Sequence, residues 1–192
     1  MAVISIKNKI KSGSLLVGNT PFELGDFESI QTINVGSGGA ASISFTSIPN
    51  TYTHLQIRLL ARSTAANVAG GVTLQFNGDT TGSNYYSHYI QADGSSVAAG
   101  PNANASIHYD IAGVNATASV FGAMIFDVLD YSNTNKNKTS RVLGGIDNNG
   151  SGRMNLTSGL WRSTSAITSI ALAPFSGSFA QHTTAALYGI RG

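Results

Sequence analysis

The sequence predicts an all-β protein: an antiparallel two-sheet sandwich, jelly-roll-like, with an extended N-terminal arm. Three observations carry that expectation. From about Phe27 to Gly192, apolar and polar residues alternate in short runs, the period-two signature of half-buried strands. Gly, Asn, Ser and Pro separate the runs at short, regular spacing, as turns between the strands of a sandwich do. A chain of 192 residues with 42% hydrophobic content suits one such core.

Residues 1–25 read as an arm and linker, and 26–192 as the sandwich body. In the arm, Ile4, Ile6 and Ile10 fall on one side of an extended segment and Lys7, Lys9 and Lys11 on the other. These six residues are expected to dock on a partner that orders them. Ser12-Gly13-Ser14 breaks the run, Leu15-Leu16-Val17 forms a second apolar patch, and Gly18-Asn19, Thr20-Pro21 and Gly25-Asp26 are turn signals.

The body opens with Ile30 and Ile33–Val35, turns at Gly36-Ser37-Gly38-Gly39, and returns through Ile43 and Phe45, a pattern that predicts a hairpin. Leu55, Ile57 and Leu59 alternate with His54, Gln56 and Arg58 as a strand buried on one face. Val72, Leu74 and Phe76 lead to Asn77-Gly78, which supplies the positive φ angles of a tight turn or hairpin. Tyr85–Ile90 is an aromatic strand with Tyr85 and Tyr89 on one face and Tyr86, His88 and Ile90 on the other. Residues 92–106, polar, Ala-rich and containing Pro101, read as a long loop before the short run Ile107, Tyr109, Ile111. Val120–Leu129 is apolar on both faces and is the candidate for a central strand. Val142–Ile146, Met154–Trp161 beyond the Asn149-Gly150 turn, Ile167–Leu172 and Ala185–Ile190 complete nine or ten strands.

Charge narrows the partners. Eleven Lys and Arg against nine Asp and Glu give a net charge of +2, which supplies no broad basic face for nucleic acid. With only 10% charged residues, the surface is a neutral one of Gly, Ser, Thr and Asn that suits packing in an assembly, so a homo-oligomer is expected. There is no cysteine for disulfides or thiolate metal sites. No run approaches the roughly 18 apolar residues of a membrane-spanning helix, and no membrane partner is expected.

Candidate chemistry is sparse. Gly36–Ala41 fits a loose dinucleotide-loop pattern, but the strand-like Ser42-Ile43-Ser44-Phe45 follows where a helix is required. Asp147–Gly152 resembles the start of a calcium loop, yet Ser158 stands where the bidentate Glu belongs, so a plain turn is expected. Asp127 and Asp130 are three apart and on opposite faces, which defeats a paired-carboxylate site; Asp127 is expected to pair between strands or subunits. His54, His88, His108 and His182 form no metal-ligand cluster, and no nucleophile elbow is present. No catalytic residue, metal or cofactor is assigned. Tyr86, His88, Trp161 and Arg162 offer rings and donors that suit a glycan or a subunit contact.

Four stretches together resemble virion structural proteins of tailed bacteriophages, especially those of phages of cyanobacteria and marine bacteria. They are Asp26–Ile30, the run Phe45–Arg58, Ser158-Gly159-Leu160-Trp161-Arg162, and the ending Ala186-Leu187-Tyr188-Gly189-Ile190-Arg191-Gly192. The resemblance covers about residues 26–192, and Leu-Tyr-Gly-Ile-Arg-Gly is its most distinctive phrase. It implies a component of the virion rather than an enzyme, with other capsid or tail and neck proteins as partners. The expected role is a capsid decoration or cement protein that docks through its arm and packs as an oligomer, expected to be a trimer. The alternative is a head- or tail-fibre module recognising a host surface glycan through loops such as 92–106.

Overall fold

The computed structural model describes residues 26–103 and 107–192, with 107 and 109 as backbone alone, together with the backbone of 16–17 and 20–21. In chain order the strands are β1 (Leu16–Val17), β2 (Thr20–Pro21), β3 (Phe27–Asn34), β4 (Ile43–Phe45), β5 (His54–Ala61), β6 (Ala69–Phe76) and β7 (Tyr85–Ala92). There follow β8 (Val97–Ala103), β9 (Ile107–Ala112), β10 (Gly122–Leu129), β11 (Lys138–Asp147), β12 (Gly152–Trp161), β13 (Ile170–Pro174) and β14 (Thr184–Ile190). Apart from the short β1–β2 ladder, they form two antiparallel sheets, one ordered β3-β14-β5-β10-β11-β12-β7-β8 and the other β4-β13-β6-β9.

The jelly roll follows from which strands pair. Leave out the two hairpin-like additions β7–β8 and β11–β12, and eight strands remain: β3, β4, β5, β6, β9, β10, β13 and β14. The first of these pairs with the last, the second with the seventh, the third with the sixth and the fourth with the fifth. That is one long hairpin rolled into two sheets, the double Greek key of a jelly roll. The additions pair with one another through β12 and β7 and extend the larger sheet by four strands beyond β10.

The core lies between the sheets, where strict alternation puts Leu55, Ile57 and Leu59 of β5, Met124, Phe126 and Val128 of β10, and Leu187 of β14 against Phe45, Leu74 and Leu172. The C-terminal strand is interior to its sheet, hydrogen-bonded to β3 on one side and β5 on the other. The distinctive ending is explained by its contacts. Tyr188 stacks on Phe27 with ring centroids 4.8 Å apart, and the Arg58 guanidinium lies over both rings. Gly189 lies directly beneath the Tyr52 ring, which a Cβ would overlap. The Arg191 guanidinium lies over the Tyr52 ring, 5.1 Å from its centroid, and pairs with Glu28, whose carboxylate also accepts the Tyr52 hydroxyl at 2.6 Å.

Two expectations need correction. The Gly36–Gly39 turn is not a hairpin, because β3 and β4 belong to different sheets. Gly39, at φ +68°, turns the chain across the sandwich, and Ala40 then exchanges hydrogen bonds with Phe179. Asn77-Gly78, at φ 52° and 70°, makes the tight turn that is one of its two expected forms: the Asp79 amide bonds the Phe76 carbonyl, and the chain passes to β7 in the opposite sheet. Residues 92–106 are not one long loop, since 97–103 form β8, the edge strand paired with β7.

Candidate functional site

The six arm residues Ile4, Ile6, Lys7, Lys9, Ile10 and Lys11 lie outside the described residues. The second predicted group is divided by the sheet. Tyr86 and His88 point outward from β7, and the Arg162 guanidinium lies over the Tyr86 ring at 5.9 Å, so these three come together on the outer face of the larger sheet. Trp161 does not join them. It faces inward at the end of β12, only 4% exposed, packs between Phe76 and Tyr85, and donates its indole N–H to Asp79 at 2.7 Å. That hydrogen bond, with a second from Asn84, holds the Asp79 carboxyl down to about 2.

The outer face carries a pattern of its own. Cross-strand register aligns Leu60, Ala123, Gly145, Met154, Ala92 and Val97 in one row. The adjoining row holds Arg58, Ile125, Leu143, Leu156, Ile90 and Ala99, and a third holds Gln56, Asp127, Arg141, Ser158, His88 and Pro101. Two rows are therefore almost wholly apolar and the third polar. Met154 is 64% and Val97 70% exposed, while Leu60, Ile90, Leu143 and Leu156 are about half exposed and Ile125 somewhat less. Beside Tyr188 the face dips into an open groove of about 620 Å³ lined by Leu60, Ala123, Ile125, Leu143 and Ala186. As the sequence predicted, β10 is central and apolar on both sides, but only its inner side is covered. Asp127 pairs between strands as expected, accepting from Gln56 at 2.9 Å.

A buried polar layer, which sequence reasoning missed, lies where β9 passes under β11, β12 and β7. His108, Asp110, Ser87, Ser140, Asn155 and Thr157 are all buried there. Asp110 has φ 108°, and its ladder with β6 slips between Gly70 and Gly71, so β9 carries a β-bulge at this point. The Asp110 carboxylate, 0% exposed, accepts from Arg153 Nε at 2.5 Å. Burial pushes its pKa up and the guanidinium acts against that. His108 packs edge-on to Phe126, beside a void of about 10 Å³ shared with Ser87 and Ser140, a size that admits one water. Enclosed in this way, the His and Ser side chains offer no surface to a substrate, and their role is in packing.

Burial lowers the His108 pKa from 6.5 to about 4, which makes a measurable contribution to acid sensitivity. Above pH 6.5 the imidazole is neutral folded or unfolded. Between pH 6.5 and 4 the unfolded chain binds a proton there that the folded chain does not, so stability falls as pH falls, by roughly 3 kcal/mol in all. Urea midpoints measured from pH 7 to 4 should therefore decline less steeply in His108→Gln than in the wild type, and parallel slopes would refute the assignment.

Most other charges fasten loops. Arg62 donates to the carbonyls of Val114, Ala116, Thr117 and Val120, pinning the loop before β10. Lys138, buried beneath the sheet, donates to the carbonyls of Asn133, Lys136 and Thr164. Asp130 pairs with Lys136, and Asp93 accepts four bonds from Ser95 and Ser96 in the β7–β8 turn. The Asp147 segment is the β11–β12 turn, with Asn149 at φ 56° and its amide on Asp147. Among the described residues no three His, Cys, Asp or Glu side chains are grouped so as to hold a metal ion.

Fold and site together define a jelly-roll sandwich whose charged groups largely serve its own loops and whose largest uncommitted feature is a sheet face. Compared with family models, curated proteins and solved structures, the chain matches none.

Proposed function

We propose that this chain is a structural protein of a tailed-bacteriophage virion, a capsid decoration or cement subunit that attaches to other virion proteins through residues 1–25 and packs as a homo-oligomer. One observation carries the reading: a jelly-roll body presents a broad face of apolar and small polar side chains, with few charges, to whatever surrounds it. Such a surface suits permanent packing better than solution. The resemblance of the body to virion proteins supports it. The copy number in purified particles tests it. A number equal to that of the capsid protein, or a simple fraction of it, is expected; absence from the particle would overturn the proposal.

The fibre reading has its own support in Arg162 stacked on Tyr86 beside exposed His88, a pairing of ring and donors that suits a sugar. A copy number of only a few dozen would favour it.

Attachment through the arm makes a further prediction. A chain lacking 1–25 should keep the thermal transition of the body, since the core cluster lies within residues 35–187, yet should no longer bind stripped particles. Replacing Lys7, Lys9 and Lys11 by Gln should slow docking at low salt and have little effect at high salt, because exposed charges are screened beyond about 10 Å at 0.1 M. Equal occupancy of the truncated and full chains would show that the body attaches by itself.

A further inference from the structure

We infer that a second copy of this chain covers the outer face of the larger sheet, packed face to face about a two-fold axis. The inference deepens the assembly reading above by naming the surface and its occupant. It begins from β10, whose sequence is apolar on both sides as in strands buried on both faces, although only one face is covered within the subunit. The seven large apolar side chains on the outer face together expose on the order of 600 Å². Two like faces would bury about twice that, the lower end of a stable protein interface.

Shape selects the occupant. The apolar rows run across six strands from β5 to β8, a width of about 25 Å. One extended segment such as 1–15 is a single strand wide and would cover a fraction of it. Another sheet of the same pitch and twist covers it fully, as stacked sheets do about 10 Å apart.

Charge agrees. Asp127 and Arg141 stand side by side in the polar row on β10 and β11, and among the described residues no ion pair joins Arg141 to an acid. A two-fold axis running along the strands between β10 and β11 would set Arg141 over the partner copy's Asp127, and Ile125 over its Leu143. The face is thus self-complementary in charge at Asp127 and Arg141 and in apolar contact at Ile125 with Leu143 and Leu60 with Met154, as an isologous contact must be. Like-to-like pairing gives even-numbered assemblies, so it is distinguishable from the three-fold packing expected of the sequence.

Native mass spectrometry and sedimentation of the purified full chain test this. The wild type is expected as a dimer or a multiple of two. Leu143→Arg and Leu156→Arg, both outward on the sheet, should each weaken association roughly 100-fold or more with an unchanged circular-dichroism spectrum. Arg141→Asp and Asp127→Arg should each weaken it, and mixing the two variants should restore it as a hetero-oligomer, a rescue that only contact between copies of this chain predicts, since within each variant the neighbouring side chains still repel. A monomer at high concentration, an odd-numbered oligomer, or an assembly indifferent to both arginine substitutions would overturn the inference. Particle copy number is read separately, so a chain that is monomeric alone yet abundant on particles would reject this contact and leave the virion reading standing.

Discussion

Deleting residues 185–192 is expected to give a chain that does not fold. β14 is bonded on both sides, so its removal strips hydrogen-bond partners from β3 and β5 at once and detaches β3 from the sheet. Leu187 is fully buried, and a side chain of that size contributes about 1.5–3 kcal/mol by burial. Tyr188, Gly189 and Arg191 additionally hold Phe27, Tyr52 and Glu28 in place. Against a typical domain stability of about 5–15 kcal/mol, the combined loss should leave no cooperative thermal transition. A truncated chain that melts cooperatively near the wild-type temperature would show that the ending lies outside the cooperative core.

Arg153→Met is expected to cost about 3–5 kcal/mol, the usual penalty for removing one partner of a buried ion pair. Met keeps much of the apolar stem while leaving the Asp110 carboxylate buried without its counter-ion, at a bulge where the backbone already has a positive φ. Combining it with Asp110→Asn should recover a large part of the loss, since no charge then remains buried and Asn tolerates positive φ better than most residues. Urea unfolding of the single and double variants measures this directly. An Arg153→Met protein within about 1 kcal/mol of the wild type would mean that Asp110 is neutral in the fold.

The parts of this fold that were legible share a physical cause. β5 lies inside the sheet with one covered face, so alternation is enforced on every residue and the sequence displays it, whereas β10 and β14 show themselves as apolar runs of strand length. Connections were less legible, because a glycine at positive φ serves a hairpin and a sheet-to-sheet crossing equally well, as Gly39 shows. β8 was hidden because Val97–Ala103 is an edge strand of Ala, Gly, Asn and Pro, with little apolar contrast between its faces. The polar layer was hidden by the bulge at Asp110: Ile107, Tyr109 and Ile111 suggested one parity, yet His108 and Asp110 are buried along with Ile111. Trp161 and Lys138 are cross-strand partners that both point inward, and no composition rule anticipates a lysine bonding three loop carbonyls beneath a sheet. For the proposed docking residues, the arm pattern was plain in the sequence, whereas the assembly face appears only when the register of six strands is known.

The pairing of β3 with β14 also governs how the protein must be made. These strands join Phe27 to Ile190, so the first strand of the body stays without its neighbour until β14, more than 150 residues later, has left the ribosome. β5 waits in the same way for β14. Closing so long a loop is slow, and topologies dominated by distant pairings fold in about milliseconds to seconds rather than microseconds. During that interval the unpaired edges of β3 and β5 are open to other nascent chains. Slow synthesis of the codons for β13 and β14, or a high density of ribosomes on the message, should therefore lower the yield of soluble protein more than slow synthesis of those for β3 and β4.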